Sequence, residues 1–310
     1  MVLLERLFPG PGRVWAKLEG FNPSGSAKDR TAAALLDSAL ASGALEPGGC
    51  VVESSSGNLG VALARDCVLH GIDFHCVVDP RANRQTVAVM AALGATVHRV
   101  TSPDPETGDW LAARRSRVAD LLTRLPGAVN LDQYSNQAAF EAHSSGTMRE
   151  IVGQLGRAPD RLLVAVSTTG TIGGCVRHLR ETGAATRVTA VDAVGSVLFG
   201  GRRGERVLPG FGAGVVPGLA SLTPVADVVR VTAGDAVCGA RALARREGIL
   251  PGASGGAVVA AAGADRRSGT SGTGGTDTVL ILHDFGNAYT DTLYNDQWVA
   301  ENIGEVPEWR

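Results

Sequence analysis

Only two lysines occur in the chain, Lys17 and Lys28, and arginine supplies the rest of its 29 cationic side chains. Arginine replaces lysine as a surface charge, but it does not form an imine with an aldehyde. Lys28 lies in the stretch W-A-K-L-E-G-F-N-P-S-G-S-A-K-D-R-T-A-A-A, residues 15–34. An apolar strand at 14–18 gives way to a turn at Asn22-Pro23-Ser24-Gly25, and Ser26 precedes an alanine-rich run that reads as a helix. Lys28 then falls in the first turn. The positive partial charge of a helix N-terminus and burial both disfavour an ammonium, so a lysine placed there can act as an imine-forming nucleophile. By itself the window fits an ordinary solvated cation equally well; the motifs downstream tip the balance.

Glu53-Ser54-Ser55-Ser56-Gly57-Asn58-Leu59-Gly60 sits where a strand should end and a helix begin. Backbone N–H groups and hydroxyls at such a point suit a carboxylate or phosphate, although a serine cluster can also do no more than cap a helix. Val164-Ala165-Val166-Ser167-Thr168-Thr169-Gly170-Thr171-Ile172-Gly173-Gly174 repeats the layout of strand, hydroxyl-rich turn and helix. Free N–H groups beside one serine and three threonines make a phosphate cradle without a cation, suited to a permanently bound phosphate ester. It is no Walker loop, since no Gly-Lys-Ser/Thr follows. Gly272-Thr273-Gly274-Gly275-Thr276 is rejected as a second cradle: no strand leads in, and Asp277 would repel an anion. An imine lysine, a carboxylate-binding turn and a phosphate cup imply an aldehyde cofactor bearing a phosphate, and pyridoxal 5'-phosphate fits.

The elements that position these residues alternate. Strands are expected at 50–53, 74–78, 96–100, 129–134, 162–166, 187–194, 228–231 and 278–282. Helices are expected at 27–42, 57–70, 86–93 and 110–125, over the segment leading to 155, from the phosphate cup to 180, and at 233–247 and 255–264. That alternation implies an α/β fold with mostly parallel sheets covered by helices. The pattern restarts near residue 133, which suggests two lobes with a ligand cleft between them. One lobe is 14–132, carrying Lys28 and the serine turn; the other is 133–310 with 1–13, carrying the phosphate cup. Residues 196–217 form a long glycine-rich segment, and 266–276 a flexible surface loop.

With 310 residues, 44% hydrophobic and 19% charged, and a net charge of -2, the chain has no basic block for nucleic acid. No apolar run approaches the roughly 20 residues of a membrane helix, and the N-terminus lacks the pattern of a signal peptide, so a cytoplasmic location is expected. The five cysteines are widely spaced and form no C-x-x-C pair, which favours buried thiols over disulfides or zinc. No metal site is expected, since none of the six histidines pairs at ligand spacing.

Four motifs together resemble the fold-type II, or β-family, pyridoxal-phosphate enzymes of the cysteine synthase and cystathionine β-synthase kind, over nearly the whole chain. They are N-P-S-G-S-A-K-D-R around Lys28, S-S-G-N-L-G around Asn58, S-T-T-G-T at 167–171 and Gly252-Ala253-Ser254-Gly255-Gly256. The resemblance implies a two-lobed enzyme in which Lys28 carries the cofactor and Asn58 contacts its ring hydroxyl. Ser167, Thr168, Thr169, Gly170 and Thr171 would hold its phosphate, with Ser167 and Thr169 standing where the family usually has glycine. Ser254 would meet the pyridine nitrogen; it can also cap a helix, and the two roles can coexist. A neutral hydroxyl there does not keep the nitrogen protonated, which suits elimination at Cβ more than transamination. Ser55, Ser56, Gly57 and Asn58 would bind the substrate carboxylate with help from Gln133.

Finer features are similar to those of the N-(2-amino-2-carboxyethyl)-L-glutamate synthases of 2,3-diaminopropionate biosynthesis, a route to siderophores or peptide antibiotics. These are Cys76-Val77-Val78-Asp79-Pro80, the run from Val191 to Gly200, Leu208-Pro209-Gly210-Phe211-Gly212, Leu293-Tyr294-Asn295-Asp296-Gln297-Trp298, and Leu59 in place of the sulfhydrylases' usual threonine. The reaction implied is a β-replacement: phosphate leaves O-phospho-L-serine, the amine of L-glutamate adds at Cβ, and Lys28 serves as general base. Both the leaving group and the incoming amino acid are anionic. Arg206 is the preferred cation for them, with Arg202 and Arg203 equally readable as solvated loop charges. The rival reaction is that of a cysteine synthase, taking O-acetylserine or O-phosphoserine with sulfide. The resemblance also implies a homodimer acting on small amino acids. The family usually has a further N-terminal segment with a Gly-Asn-Thr-Pro-like turn; this chain begins just after it, so a truncated start or a missing arm is expected.

Overall fold

The computed structural model describes residues 1–268 and 275–309. Gly272-Thr273-Gly274, the body of the rejected second cradle, lies outside the described residues, as does the centre of the loop expected at 266–276. In chain order the backbone forms β1 (Val2–Leu3), β2 (Arg13–Leu18), α1 (Lys28–Ala41), β3 (Cys50–Ser54), α2 (Asn58–Leu69), β4 (Asp73–Val78), α3 (Arg84–Ala92), β5 (Thr96–Arg99), α4 (Trp110–Arg124) and β6 (Ala128–Val129). It continues through α5 (Ala138–Ala142), a π-helical turn (His143–Met148), α6 (Arg149–Leu155), β7 (Arg161–Ala165), α7 (Gly170–Glu181), β8 (Arg187–Ala193) and β9 (Asp227–Val231). The last elements are α8 (Ala233–Glu247), α9 (Ala253–Arg267), β10 (Asp277–Leu282) and α10 (Asp296–Asn302). Residues 22–139 form one compact unit, and residues 1–21 with 140–310 a second.

The smaller unit holds a four-stranded parallel sheet in the order β5-β4-β3-β6. Alternate residues of its strands point to opposite faces, and both faces are apolar. Val51, Phe74, Cys76 and Val78 pack with Leu35, Leu36, Leu63 and Met90 from α1, α2 and α3. Val52 and Val77 point the other way, against Val118 and Leu121 of α4.

The larger unit holds six strands in the order β1-β2-β10-β7-β8-β9, parallel except for β1. Ala16, Leu163, Val191 and Leu280 face α8 and α9, while Leu162, Val164, Ala190 and Ile281 face α7. Helices α8 and α9 approach so closely that a Cβ on Gly256 would lie 2.1 Å from the Ala236 carbonyl oxygen. The α/β expectation, mostly parallel sheets flanked by helices, is borne out.

Local details differ from the sequence reading. The strand at 14–18 belongs with the larger unit, because β2 pairs with β10 along its whole length, from Arg13 opposite Asp277 to Leu18 opposite Leu282. The compact unit spans 22–139, where the sequence reading sets the lobe at 14–132. The strand expected at 129–134 stops at Val129: Asn130 turns its side-chain amide onto the Val52 carbonyl at 2.8 Å, and Asp132 adopts φ +48°. Helix α9 runs on to Arg267, into the loop expected from 266. All five cysteines are free thiols. No helix among the described residues is long and apolar enough to cross a membrane.

Candidate active site

Parallel strands deliver their carboxyl ends to one edge of a sheet, where α/β proteins place ligands. In the smaller unit that edge collects the turn after β3, Asp79 after β4, and Asn130 to Gln133 after β6. Within the turn, Ser55 Oγ accepts the N–H of Gly60 at 2.9 Å, so this serine steadies the start of α2 and keeps its own O–H to donate. Ser56, Gly57 and Asn58 are half-buried, and Gln133 is buried. Beneath the turn, the Glu53 carboxyl is buried and pushed up to about 7, chiefly by desolvation.

Lys28 opens α1. Ser26 Oγ accepts its N–H at 3.2 Å, and both Asp29 carboxylate oxygens accept the Ser24 N–H at 3.1 Å, which folds the preceding turn onto the helix. The half-buried lysine is desolvated by the protein around it, and this lowers its pKa to about 8. The sign favours reactivity, because a lowered pKa enlarges the free-amine fraction near neutrality by roughly two orders of magnitude over an ordinary lysine. The rate at which cofactor-free protein reacts with pyridoxal, followed by absorbance, is expected to climb about tenfold per pH unit and level off near pH 8. A limb that levels only near pH 10 would contradict this.

Arg114, which the sequence did not single out, lies at the same edge. From the first half of α4 its Nε sits 3.3 Å from Asp79 Oδ2, and its Nη1 donates to Ser56 Oγ at 3.2 Å. Asp79 is buried and also bound by Arg81, with Nη2 to Oδ2 at 2.9 Å. Burial alone would raise the Asp79 carboxyl, but the hydrogen bonds from Arg81 and the charge of Arg114 hold it below the usual carboxylate range. The only trace of this arrangement in the sequence is the Asp-Pro that ends β4 and an arginine-rich helix 30 or so residues on.

In the larger unit, Ser167 to Thr171 follow β7, and α7 opens at Gly170. Thr169 holds the cap position in the left-handed region, φ +65°, and its buried hydroxyl has no hydrogen-bond partner among the described residues. A β-branched residue in that conformation costs about 1–2 kcal/mol, and an unmet buried hydroxyl about 1–3 more. Glycine would avoid both penalties, so the position is built to present a hydroxyl. A phosphate ester at the first turn of α7 is the kind of group these donors fit.

Gly252 donates its N–H to the Asp284 carbonyl at 3.2 Å, tying α9 to the end of β10, the neighbour of β7. Gly252 itself takes the cap position of α9, so Ser254 is a buried residue of the first turn and not the cap. The glycine-rich segment folds back on the same edge through Gly212 N–H to Val166 O at 2.6 Å and Val197 N–H to Ala213 O at 2.9 Å. Arg202 and Arg206 are exposed, while Arg203 Nη2 donates to Gly214 O at 2.6 Å and staples its own loop. Lys28, Ser55 to Asn58, Gln133 and Arg114 thus belong to the smaller unit, and Ser167 to Thr171, Ser254 and Arg206 to the larger. Among the described residues no cluster of three or more histidine, cysteine or acidic side chains is placed to hold a metal ion.

Two parallel-sheet units with a desolvated lysine in one and a hydroxyl-lined helix start in the other accord with the family model of pyridoxal-phosphate dependent enzymes, which matches residues 1–284; the chain belongs to that family. Its cofactor is pyridoxal 5'-phosphate. Among its relatives, the chain is 44% identical over 301 residues, 97% of its length and 88% of the other's, to N-(2-amino-2-carboxyethyl)-L-glutamate synthase of Ralstonia nicotianae. The synthase of that name from Cupriavidus metallidurans is 40% identical over the same shares of the two chains. Among solved structures, that of O-ureido-L-serine synthase matches with a TM-score of 0.85 at 29% identity, covering 96% of this chain and 95% of that one.

Proposed function

We propose that this enzyme replaces the phosphate of O-phospho-L-serine with the amine of L-glutamate, giving N-(2-amino-2-carboxyethyl)-L-glutamate and inorganic phosphate. The observation that carries the reading is the 44% identity, across 97% of the chain, to a synthase of that name. Arg114 beside Ser56 supports it independently, since it sets a guanidinium next to the turn that would hold an amino-acid substrate.

Pyridoxal 5'-phosphate, when bound, supplies the electron sink that lets a proton leave Cα and a group leave Cβ. Lys28 is the point of covalent attachment, and its Nζ, poised near neutrality, takes the Cα proton and later returns it. Ser55, Ser56, Gly57 and Asn58 would hold the substrate carboxylate with Gln133, and Asn58 would also contact the cofactor ring hydroxyl. Ser167 to Thr171 would hold the cofactor's phosphate, with Thr169 contributing the hydroxyl that has no partner among the described residues. Ser254 would meet the pyridine nitrogen, and a neutral hydroxyl there would not keep that nitrogen protonated. Arg114, aimed by Asp79, neutralises the departing phosphate, and exposed Arg206 is the candidate for the glutamate side chain. The proposal includes a cytoplasmic homodimer serving 2,3-diaminopropionate synthesis for a siderophore or peptide antibiotic.

The test is to incubate the holoenzyme with O-phospho-L-serine and either L-glutamate or sulfide, following phosphate release and product mass. Phosphate release that depends on glutamate, with the mass of the joined amino acids, is expected. Cysteine formed from sulfide with no product from glutamate would replace this reading by that of a cysteine synthase.

A further inference from the structure

Behind the phosphate cup, inside the larger unit, runs a chain of buried polar groups that the reaction above leaves unused. Lys17 on β2 pairs with Glu150 Oε2 at 2.5 Å and lies 3.5 Å from Glu19 Oε1. Thr147 Oγ1 donates to Glu19 Oε1 at 3.1 Å, and His143 Nδ1 is 3.0 Å from Thr147 Oγ1. His143 Nε2 is 3.3 Å from Thr171 Oγ1, in the cup itself. Lys17, Glu19, His143, Thr147 and Thr171 are all buried. His143 and Thr147 belong to the π-helical turn, a local irregularity that often marks functional positions. Helix α7 presses on that turn so tightly that a Cβ on Gly174 would lie 2.7 Å from His143 Cβ.

Donor capacity decides which way these bonds run. The carboxylate of Glu19, paired with Lys17, only accepts, so Thr147 gives it its hydroxyl proton and takes the Nδ1 proton of His143 on a lone pair. In a neutral imidazole Nε2 is then an acceptor, and Thr171 must point its single hydroxyl proton inward, leaving only lone pairs for the cup. A proton on Nε2 reverses that bond: Nε2–H donates to Thr171 Oγ1, and the Thr171 proton is free for an anion's oxygen. Charge agrees: Lys17, Glu19 and Glu150 together carry one net negative charge, and burial with the Lys17 charge shifts the nearby Met1 amine toward its neutral form, so an imidazolium is offset by the cluster. Of the other titratable groups on the packed elements, Cys175 on α7 stays a thiol because burial pushes it up. The Met1 amine sits near Lys17 and Glu150, and Glu141, Arg149 and Arg177 are exposed.

We propose that His143 takes up one proton when the Ser167–Thr171 cup receives a phosphate group, and that Glu19, acting through Thr147, holds that proton in place. His143 is a positioning residue: it orients the Thr171 hydroxyl toward the anion. The proposal rests on reading the cup as the cofactor's phosphate site.

Calorimetry tests it. Pyridoxal 5'-phosphate and pyridoxal are titrated into the cofactor-stripped full chain at pH 8 in two buffers of different ionisation enthalpy, so that the difference in proton uptake isolates the phosphate. At that pH the phosphate is already a dianion, with its second pKa about 6. The natural chain is expected to take up about one more proton with the phosphorylated ligand, the single proton that reverses the Thr171 bond. His143→Gln, whose amide N–H donates to Thr171 without titrating, is expected to lose the extra proton and keep its preference for the phosphorylated ligand. Thr147→Val keeps the shape but disconnects Glu19; its preference is expected to fall about tenfold at pH 8, the loss of one hydrogen bond to a charged group, and to recover toward pH 6. Equal uptake for both ligands in the natural chain, or an extra proton that survives in His143→Gln, overturns the proposal. Should His143→Gln not fold, an extra proton unchanged in Thr147→Val overturns it alone. Equal affinity for the two ligands in the natural chain instead removes the cup reading itself.

Discussion

Lys28→Ala is expected to lower the rate of β-replacement by about a thousandfold or more while leaving the melting temperature within a few degrees of the natural chain. In the proposed mechanism one amine both anchors the cofactor and moves the Cα proton, so two functions disappear together. The fold is spared because alanine is a good helix former and the substitution removes a group whose charged form is disfavoured by burial. Lys28→Arg is not expected to rescue activity, since a guanidinium neither forms the attachment nor gives up its proton near neutrality. Borohydride treatment of the holoenzyme followed by peptide mapping should place the cofactor on the peptide containing Lys28. Lys17, the single alternative in the sequence, is buried and held by Glu150 and Glu19. Label on Lys17, or activity retained in Lys28→Ala, would remove the assignment.

What could be read from the sequence was what is local. The turn ahead of Lys28 and the hydroxyl-rich starts of α2 and α7 are each set by a handful of consecutive residues, and the structure places them where strand, turn and helix signals put them. Pairings distant in sequence were not legible. β2 reads as the first strand of the lobe that follows it, yet its partner β10 lies at the other end of the chain. The 3.6-residue period of an ordinary helix hides the π-helical turn, so His143 and Thr147 looked like unremarkable helix residues. For Ser254 the sequence offers a cap role beside a cofactor role, and only the dihedral angles of Gly252 show which residue caps α9. Thr169 illustrates the reverse: the departure from glycine was visible, but its positive φ and buried hydroxyl were not.

Arg114 gives the second large effect, and the reason it was missed is the reason it is testable. It is one of several arginines on α4, and only the fold, which brings it to Ser56 across 58 residues of sequence, sets it apart from its solvent-facing neighbours. Arg114→Ala is expected to lower kcat/KM for O-phospho-L-serine by roughly 30-fold to a thousandfold, the 2–4 kcal/mol typical of losing a desolvated charge partner. The loss should depend on the leaving group. O-acetyl-L-serine leaves a singly charged, weaker partner for a guanidinium than a phosphate, so with that substrate the same variant is expected to lose less than about tenfold. Arg114→Lys should recover little, because a point charge cannot meet Asp79 and Ser56 together as the planar fork does. Asp79→Asn, which removes the carboxylate that aims the fork, should reproduce part of the Arg114→Ala loss with the same leaving-group dependence. Truncating Arg114 leaves Asp79 buried with Arg81 as its remaining ion-pair partner among the described residues, so melting curves must accompany the kinetics. If both substrates lose activity equally, Arg114 holds the shape of the serine turn, and the phosphate must be met by another cation, for which Arg206 is the next to be changed.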